Sequence, residues 1–202
     1  MGLDLRLFAI SYEANFVLEK AKSNLYYAID FDKILDTETL KLHLRMIQKN
    51  PEGIPENIMQ ELIEDSIKVI NCYPNKNKDN YSFYSFTRGY ETLNYLLKEY
   101  LKDKINVEVS ELFYSGIEIE NESQFVRFHY IDKEEVQRIY ELLEPIEFNE
   151  LIKYYHYDIM IENIYKLVLS DRFKFLEEEF NNLKKFYFES KMIDAFVIIK
   201  IS

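Results

Sequence analysis

The chain has 202 residues, of which 36 are acidic and 25 are basic, so its formal net charge is -11. This charge repels the phosphate backbone of nucleic acids, and it argues against a nucleic-acid-binding protein. A hydrophobic content of 48% excludes a chain that is disordered throughout, and one cysteine, Cys72, excludes a disulfide framework. No apolar run reaches the roughly 18 residues of a membrane helix, so we expect a single domain over 1–202, in the cytoplasm and away from membranes.

The N-terminal part predicts one strand followed by helices. Leucines alternate with charged residues over 2–9, which is the two-residue period of a strand. Apolar residues recur at helical spacing over 37–49, and an Asn-Pro-Glu-Gly sequence ends that helix. A further helix begins near Pro55, and the polar stretch 72–80 after it is a candidate mobile segment.

The tyrosine-rich stretch YSFYSFTRGYETLNYLLKEYL, residues 81–101, predicts a helix capped by Thr87. Its apolar stripe has the spacing of one buried face. The stripe consists of Phe86, Tyr90, Leu93, Leu97 and Leu101. Burial of this face accounts for most of the aromatic residues; the alternative is a surface on which an aromatic or nucleotide ligand stacks.

The C-terminal half predicts two further strands and two strong helices. Residues 124–131 form a strand in which Phe128 and Tyr130 lie on one face and Arg127 and His129 on the other. Asp132 then caps a helix, with Glu135 placed to complete a capping box. A long helix over 171–191 and an apolar strand over 195–201 follow. We therefore predict an α/β, mixed α+β fold with a central sheet of about three to four strands covered by helices.

The sequence matches none of the common catalytic templates. The four glycines are too scattered to cradle a phosphate, and neither a zinc-protease motif nor a serine-hydrolase motif occurs. His156 and Asp158 are two residues apart, a spacing that is common by chance. We expect Cys72 to be a structural thiol, and we expect no cofactor, no metal and no catalytic residues.

Several motifs in order along the chain resemble the YfbM-like family, a group of bacterial proteins classed as a domain of unknown function. These motifs are MGLDLRLFAIS at the start, then FTRGYETLNYLL, SGIEIE, VRFHYIDKEEVQRIYELL, YYHYD, IENIY and LKKFYFESKMIDAFVIIKI. The resemblance covers residues 1–20 loosely and 83–202 better, and it leaves the helical part 21–82 unmatched. It implies a small sheet covered by helices, and it implies no activity.

One family signature is altered in this chain. The signature is similar to Asp-Lys-x-Trp-x-x-x-His-Tyr-Leu-Leu. Here the acid is replaced by Thr87, the tryptophan by Tyr90 and the histidine by Asn94. An Asp–His pair acting in relatives could not act in the same way here, whereas threonine keeps the helix cap.

Two functional hypotheses remain open. The first is a non-enzymatic interaction protein, of an immunity or accessory type, that binds a basic protein partner through its acidic surface. The second is a small-molecule binder or an unrecognised enzyme with a pocket between the 87–101 helix and the 124–131 strand. That pocket would be lined by Tyr90, Asn94, Arg127 and His129.

Overall fold

The computed structural model describes residues 5–50, 53–72, 83–86, 89–105, 116–123 and 125–201. The predicted mobile segment 72–80, except its first residue, and the predicted cap Thr87 lie outside these residues. Everything stated below about the structure concerns the described ranges.

The centre of the described fold is one antiparallel sheet of five strands. The strands are β1 (Leu5–Ser11), β2 (Phe83–Phe86), β3 (Ile117–Ile119), β4 (Arg127–Ile131) and β5 (Ala195–Ile201). Their order across the sheet is β2-β1-β5-β4-β3, and every neighbouring pair is antiparallel. The last strand of the chain is therefore the middle strand, with β1 on one side and β4 on the other.

The helices form a layer on each face of this sheet. Before β2 they are α1 (Phe16–Ser23), α2 (Leu25–Ile29), α3 (Thr37–Lys49) and α4 (Glu56–Asn71). After β2 they are α5 (Tyr90–Ile105), α6 (Lys133–Leu143), α7 (Phe148–Leu151), α8 (Tyr157–Asn163) and α9 (Phe173–Met192).

Side-chain alternation along the strands assigns each helical layer to one face. Phe8, Phe196 and Ile198 pack with buried residues of α1 to α4. Leu7 and Ile199, which point to the opposite face, pack with buried residues of α5 to α9. The sheet thus separates two hydrophobic cores, one built from the N-terminal helices and one built from the C-terminal helices.

The predicted small sheet covered by helices is confirmed, and so is the type of its main elements. The helix over 37–49 has the predicted bounds, and the long helix begins two residues later than predicted and ends at Met192. Asp132 caps α6, since its Oδ1 accepts the backbone N–H of Glu135 at 2.8 Å. The Glu135 carboxylate is bonded to Arg138, at 2.7 Å from Nε, rather than turned back to the cap.

One element of the tyrosine-rich stretch was predicted wrongly. Phe86 does not start the helical stripe, because residues 83–86 form the edge strand β2 and the helix begins at Tyr90. The pairing of β2 with β1 is a long-range contact that helical spacing in the sequence does not reveal. Strand β4 also begins later than predicted, at Arg127.

Candidate functional site

The four residues predicted to line a pocket lie in different surroundings. Tyr90 is buried in the C-terminal core, and its hydroxyl donates to Glu91 Oε1 at 3.5 Å. Asn94 and His129 are half-buried, and Arg127 is exposed. The odd residues of β4 do face the core that contains α5, since Ile131 belongs to it. A pocket shared by these four residues stays a prediction, and none of them lines the concavity described next.

The rest of α5 confirms the interpretation of the tyrosine-rich stretch as core. Leu93, Leu97 and Leu101 are fully buried, and Tyr95 and Tyr100 pack at the edge of the same core. The aromatic residues of this helix are therefore packing residues in the described structure.

A concentration of exposed apolar residues extends from α8 to the start of α9, and we call it the 157–175 surface. Six large apolar side chains in these nineteen residues are exposed: Tyr157, Ile159, Ile161, Tyr165, Leu169 and Phe175. Tyr165 exposes 78% of its surface. Single exposed apolar residues are ordinary on proteins, whereas contiguous apolar patches often belong to interaction sites.

The 157–175 surface contains a concavity of about 610 Å³. Its walls are formed by Lys166, Leu167, Val168, Leu169, Asp171, Arg172 and Phe175. Two cations and one carboxylate thus stand beside apolar groups, a mixture that suits hydrogen bonds at the rim of a protein contact. Among the described residues, neither Lys166 nor Arg172 forms a salt bridge.

Helix α5 holds the segment below this concavity in place. The backbone N–H of Lys166 donates to Glu91 Oε2 at 3.1 Å, and that of Val168 donates to the buried Thr92 Oγ1 at 2.9 Å. The Tyr155 hydroxyl donates to the Val168 carbonyl oxygen at 3.0 Å. Because three side chains bind this irregular segment, its exposed residues are presented on a fixed backbone, which lowers the ordering cost of binding.

A buried carboxylate in the N-terminal layer is surrounded by hydrogen-bond donors of the protein itself. Asp65, whose side chain is 1% exposed, accepts from Lys20 Nζ at 2.5 Å and from Lys68 Nζ at 2.8 Å. It also accepts from the Tyr27 hydroxyl at 3.2 Å, while Lys20 binds Glu61 as well. The carboxylate is satisfied on all sides, so this cluster joins α1, α2 and α4 rather than facing a ligand.

Within the described ranges, no group of three or more histidine, cysteine or acidic side chains is arranged to hold a metal ion. In the same ranges every helix is too short or too polar to cross a bilayer. Cys72 accords with the structural interpretation, since burial raises the pKa of its thiol and the nearby Glu13 raises it further.

The 157–175 surface is not predicted by the local sequence pattern. The stretch is dense in apolar residues without one clean helical stripe, and its core-facing members, such as Met160 and Ile164, alternate with exposed ones. The sequence does contain one indication of this surface. The stretch has more large apolar residues than one short helix can bury, so some of them must be exposed.

Comparisons with known proteins place the chain in a family. Neither a search of curated proteins nor a search of solved structures gave a significant match. The model of one family, the domain of unknown function DUF1877, matches residues 37–199, which is well over half of the chain. The match includes residues 37–82, which the resemblance had left unmatched, and it excludes the first strand. The chain therefore belongs to the family of the domain of unknown function DUF1877.

Proposed function

We propose that this protein is a non-enzymatic interaction module that binds another protein through the 157–175 surface. The observation that carries the proposal is the concentration of six exposed apolar side chains over 157–175, two of which, Leu169 and Phe175, line a concavity of about 610 Å³. Tyrosine and phenylalanine at such positions supply contact area at low entropic cost, and they are frequent anchors of interfaces.

The charge of the chain supports a basic partner. A net charge of -11 accelerates the approach of a positively charged protein, and that attraction weakens as salt screens it. Steering of this kind sets the association rate, whereas apolar anchors such as Tyr165 and Leu169 set how long the complex lasts. Lys166 and Arg172 repel the basic side chains of such a partner, so at the rim they would face its carbonyl or carboxylate oxygens.

The family, the origin and the cellular location of the protein are part of the same proposal. We propose a single YfbM-like domain of bacterial origin, acting in the cytoplasm in an immunity or accessory role. The missing catalytic templates support this assignment over an enzymatic one.

The proposal is tested by co-purification with matched variants. Tagged wild-type protein, a Tyr165→Ser/Leu169→Ser variant and a Leu42→Ser/Phe125→Ser control are passed through the same native lysate. The control removes two apolar residues of comparable exposure that lie outside the 157–175 surface. We expect wild type and control to retain one basic partner in stoichiometric amount, and the surface variant to lose it, because removing two anchors weakens binding by about thirtyfold or more.

Two results would argue against the proposal. One is the absence of any stoichiometric partner for the wild-type protein. The other is equal recovery of the partner by the surface variant, which would place the interface elsewhere. Circular dichroism of each variant shows that a loss of binding is not a loss of fold.

A further inference from the structure

A second concavity lies on the other side of the sheet, in the N-terminal helical layer, and its volume is about 440 Å³. Its described lining consists of Ile29, Asp30, His43, Met46, Ile47, Asn50 and Ile54. Four of these side chains are apolar, and the polar ones converge from the end of α2 and from α3. The concavity is open to solvent, and its apolar side chains with a few placed polar groups resemble the lining of small-molecule sites.

An imidazole held by a buried carboxylate forms the polar side of this concavity. His43 Nδ1 lies 2.9 Å from Asp30 Oδ2, and the Asp30 side chain is only 8% exposed. Lys33 Nζ binds the other oxygen of Asp30. The His43 side chain is 31% exposed, and no described group is hydrogen-bonded to its Nε2.

This arrangement fixes the chemistry that His43 offers. Asp30 Oδ2 is placed to accept a hydrogen bond from Nδ1, and in the neutral ring with that tautomer Nε2 is the nitrogen that accepts a hydrogen bond. The neighbouring charges are already paired, because Lys200 Nζ binds Asp32 Oδ2 at 2.6 Å and Lys33 lies 3.8 Å from Asp32 Oδ1. A carboxylate that orients the ring in this way is the usual support of a functional histidine.

The lining also limits the class of ligand. The described lining residues include no lysine or arginine, so a carboxylate or phosphate would lose its hydration without gaining a cation. A metal ion is disfavoured because the described residues give it no group of three ligands here. The remaining match is an apolar molecule that brings one hydrogen-bond donor.

We propose that this concavity binds a small aromatic hydroxyl compound of the phenol class, whose hydroxyl donates to His43 Nε2 while its ring packs against Ile29, Ile47 and Ile54. A cavity of roughly 150 Å³ suffices for a benzene ring, so a substituted phenol fits with room for its substituent. The site goes beyond the proposed protein-binding function, and the sheet separates it from the 157–175 surface, so each can be tested alone.

The first test uses wild-type protein labelled with ¹⁵N in its three histidines. Long-range ¹H–¹⁵N correlation spectra are expected to show the His43 proton on Nδ1. Addition of 4-methylphenol is expected to shift the His43 Nε2 signal in a saturable way, whereas toluene, which lacks the hydroxyl, leaves it in place. His129 and His156 serve as internal controls that should not move.

The second test compares dissociation constants for 4-methylphenol in wild type and in a His43→Phe variant of unchanged circular dichroism. The variant keeps an aromatic ring but loses the acceptor, so we expect binding that is weaker by about five- to tenfold. The proposal is overturned by a resting His43 protonated on Nε2, by equal Nε2 shifts with toluene, or by an unchanged dissociation constant in the variant.

Discussion

At the scale of single residues, the most informative group is the buried Asp65. Burial alone would raise the pKa of its carboxyl, but hydrogen bonds from Lys20 and Lys68, together with the charges of these lysines, hold that pKa below its ordinary value of 3.8. Burial of Tyr27 and the nearby charge of Asp65 raise the pKa of the Tyr27 hydroxyl. This phenol therefore stays protonated and remains a hydrogen-bond donor. Asp65 is thus an ionised acceptor that ties three helices together.

Replacing Asp65 by Asn should destabilise the protein at pH 7 by about 1.5–3 kcal/mol, because charge-assisted hydrogen bonds become neutral ones in a buried position. Urea unfolding followed by circular dichroism measures this difference. The matched control is Glu61→Gln, which alters another carboxylate bound to Lys20, but one that is 40% exposed. It should cost less than about 1 kcal/mol.

The pH dependence of this difference has a definite sign. A carboxyl whose folded pKa is lowered stabilises the protein fully above its unfolded pKa, and this stabilisation is lost as the pH falls through the folded pKa. The gap in unfolding free energy between wild type and Asp65→Asn should therefore be constant near neutrality and shrink below about pH 4. A gap that widens on acidification would show that Asp65 is not an ionised acceptor.

At the scale of elements, the start of the β3–β4 hairpin depends on a backbone approach that only glycine permits. Gly116 has a φ of +111°, and a Cβ built on it would lie 2.5 Å from the carbonyl oxygen of Tyr130. Gly53 has a similar φ of +101°, but a Cβ there has no atom of the described residues within 4 Å. Any other residue would be strained by the positive φ at both positions, but it would clash with a neighbouring atom only at Gly116.

Alanine at Gly116 should therefore destabilise the protein by about 1–3 kcal/mol more than alanine at Gly53. Thermal unfolding of the two variants side by side isolates the clash, since the strain of a positive φ is common to both. Equal destabilisation would mean that β3 and β4 do not approach each other as closely as described.

Some helices and strands could be predicted from the sequence and others could not, for physical reasons. The helix over 37–49 and the long helix α9 were predicted because their apolar residues repeat on one face over several turns. Strand β5 was predicted because a strand buried on both faces is apolar at nearly every position. Strand β2 was missed because four residues carry little pattern and its pairing with β1 joins positions that are far apart in the chain.

The sites could be predicted less well than the elements. The helical stripe correctly gave Tyr90 as a core residue, which weakens its role as a ligand contact. The His43–Asp30 pair was not predicted, because its members are thirteen positions apart and only the tertiary structure brings them together. Exposure of Tyr165 likewise depends on tertiary packing that a local pattern does not contain.

At the scale of the whole molecule, one sheet carries two cores, and each helical layer offers a different surface. The C-terminal layer presents the exposed apolar residues of the 157–175 surface, and the N-terminal layer contains the His43 concavity. We propose that the net charge of -11 steers a basic partner toward the molecule and that the apolar anchors determine where that partner stays.

We propose the 157–175 surface as the protein-binding face of the molecule. Hydrogen–deuterium exchange of the protein alone and saturated with its co-purified partner tests this claim most directly. The account predicts slower amide exchange in 157–175 on binding, with residues 37–54 unchanged. Protection confined to the N-terminal helices, with no change in 157–175, would contradict it.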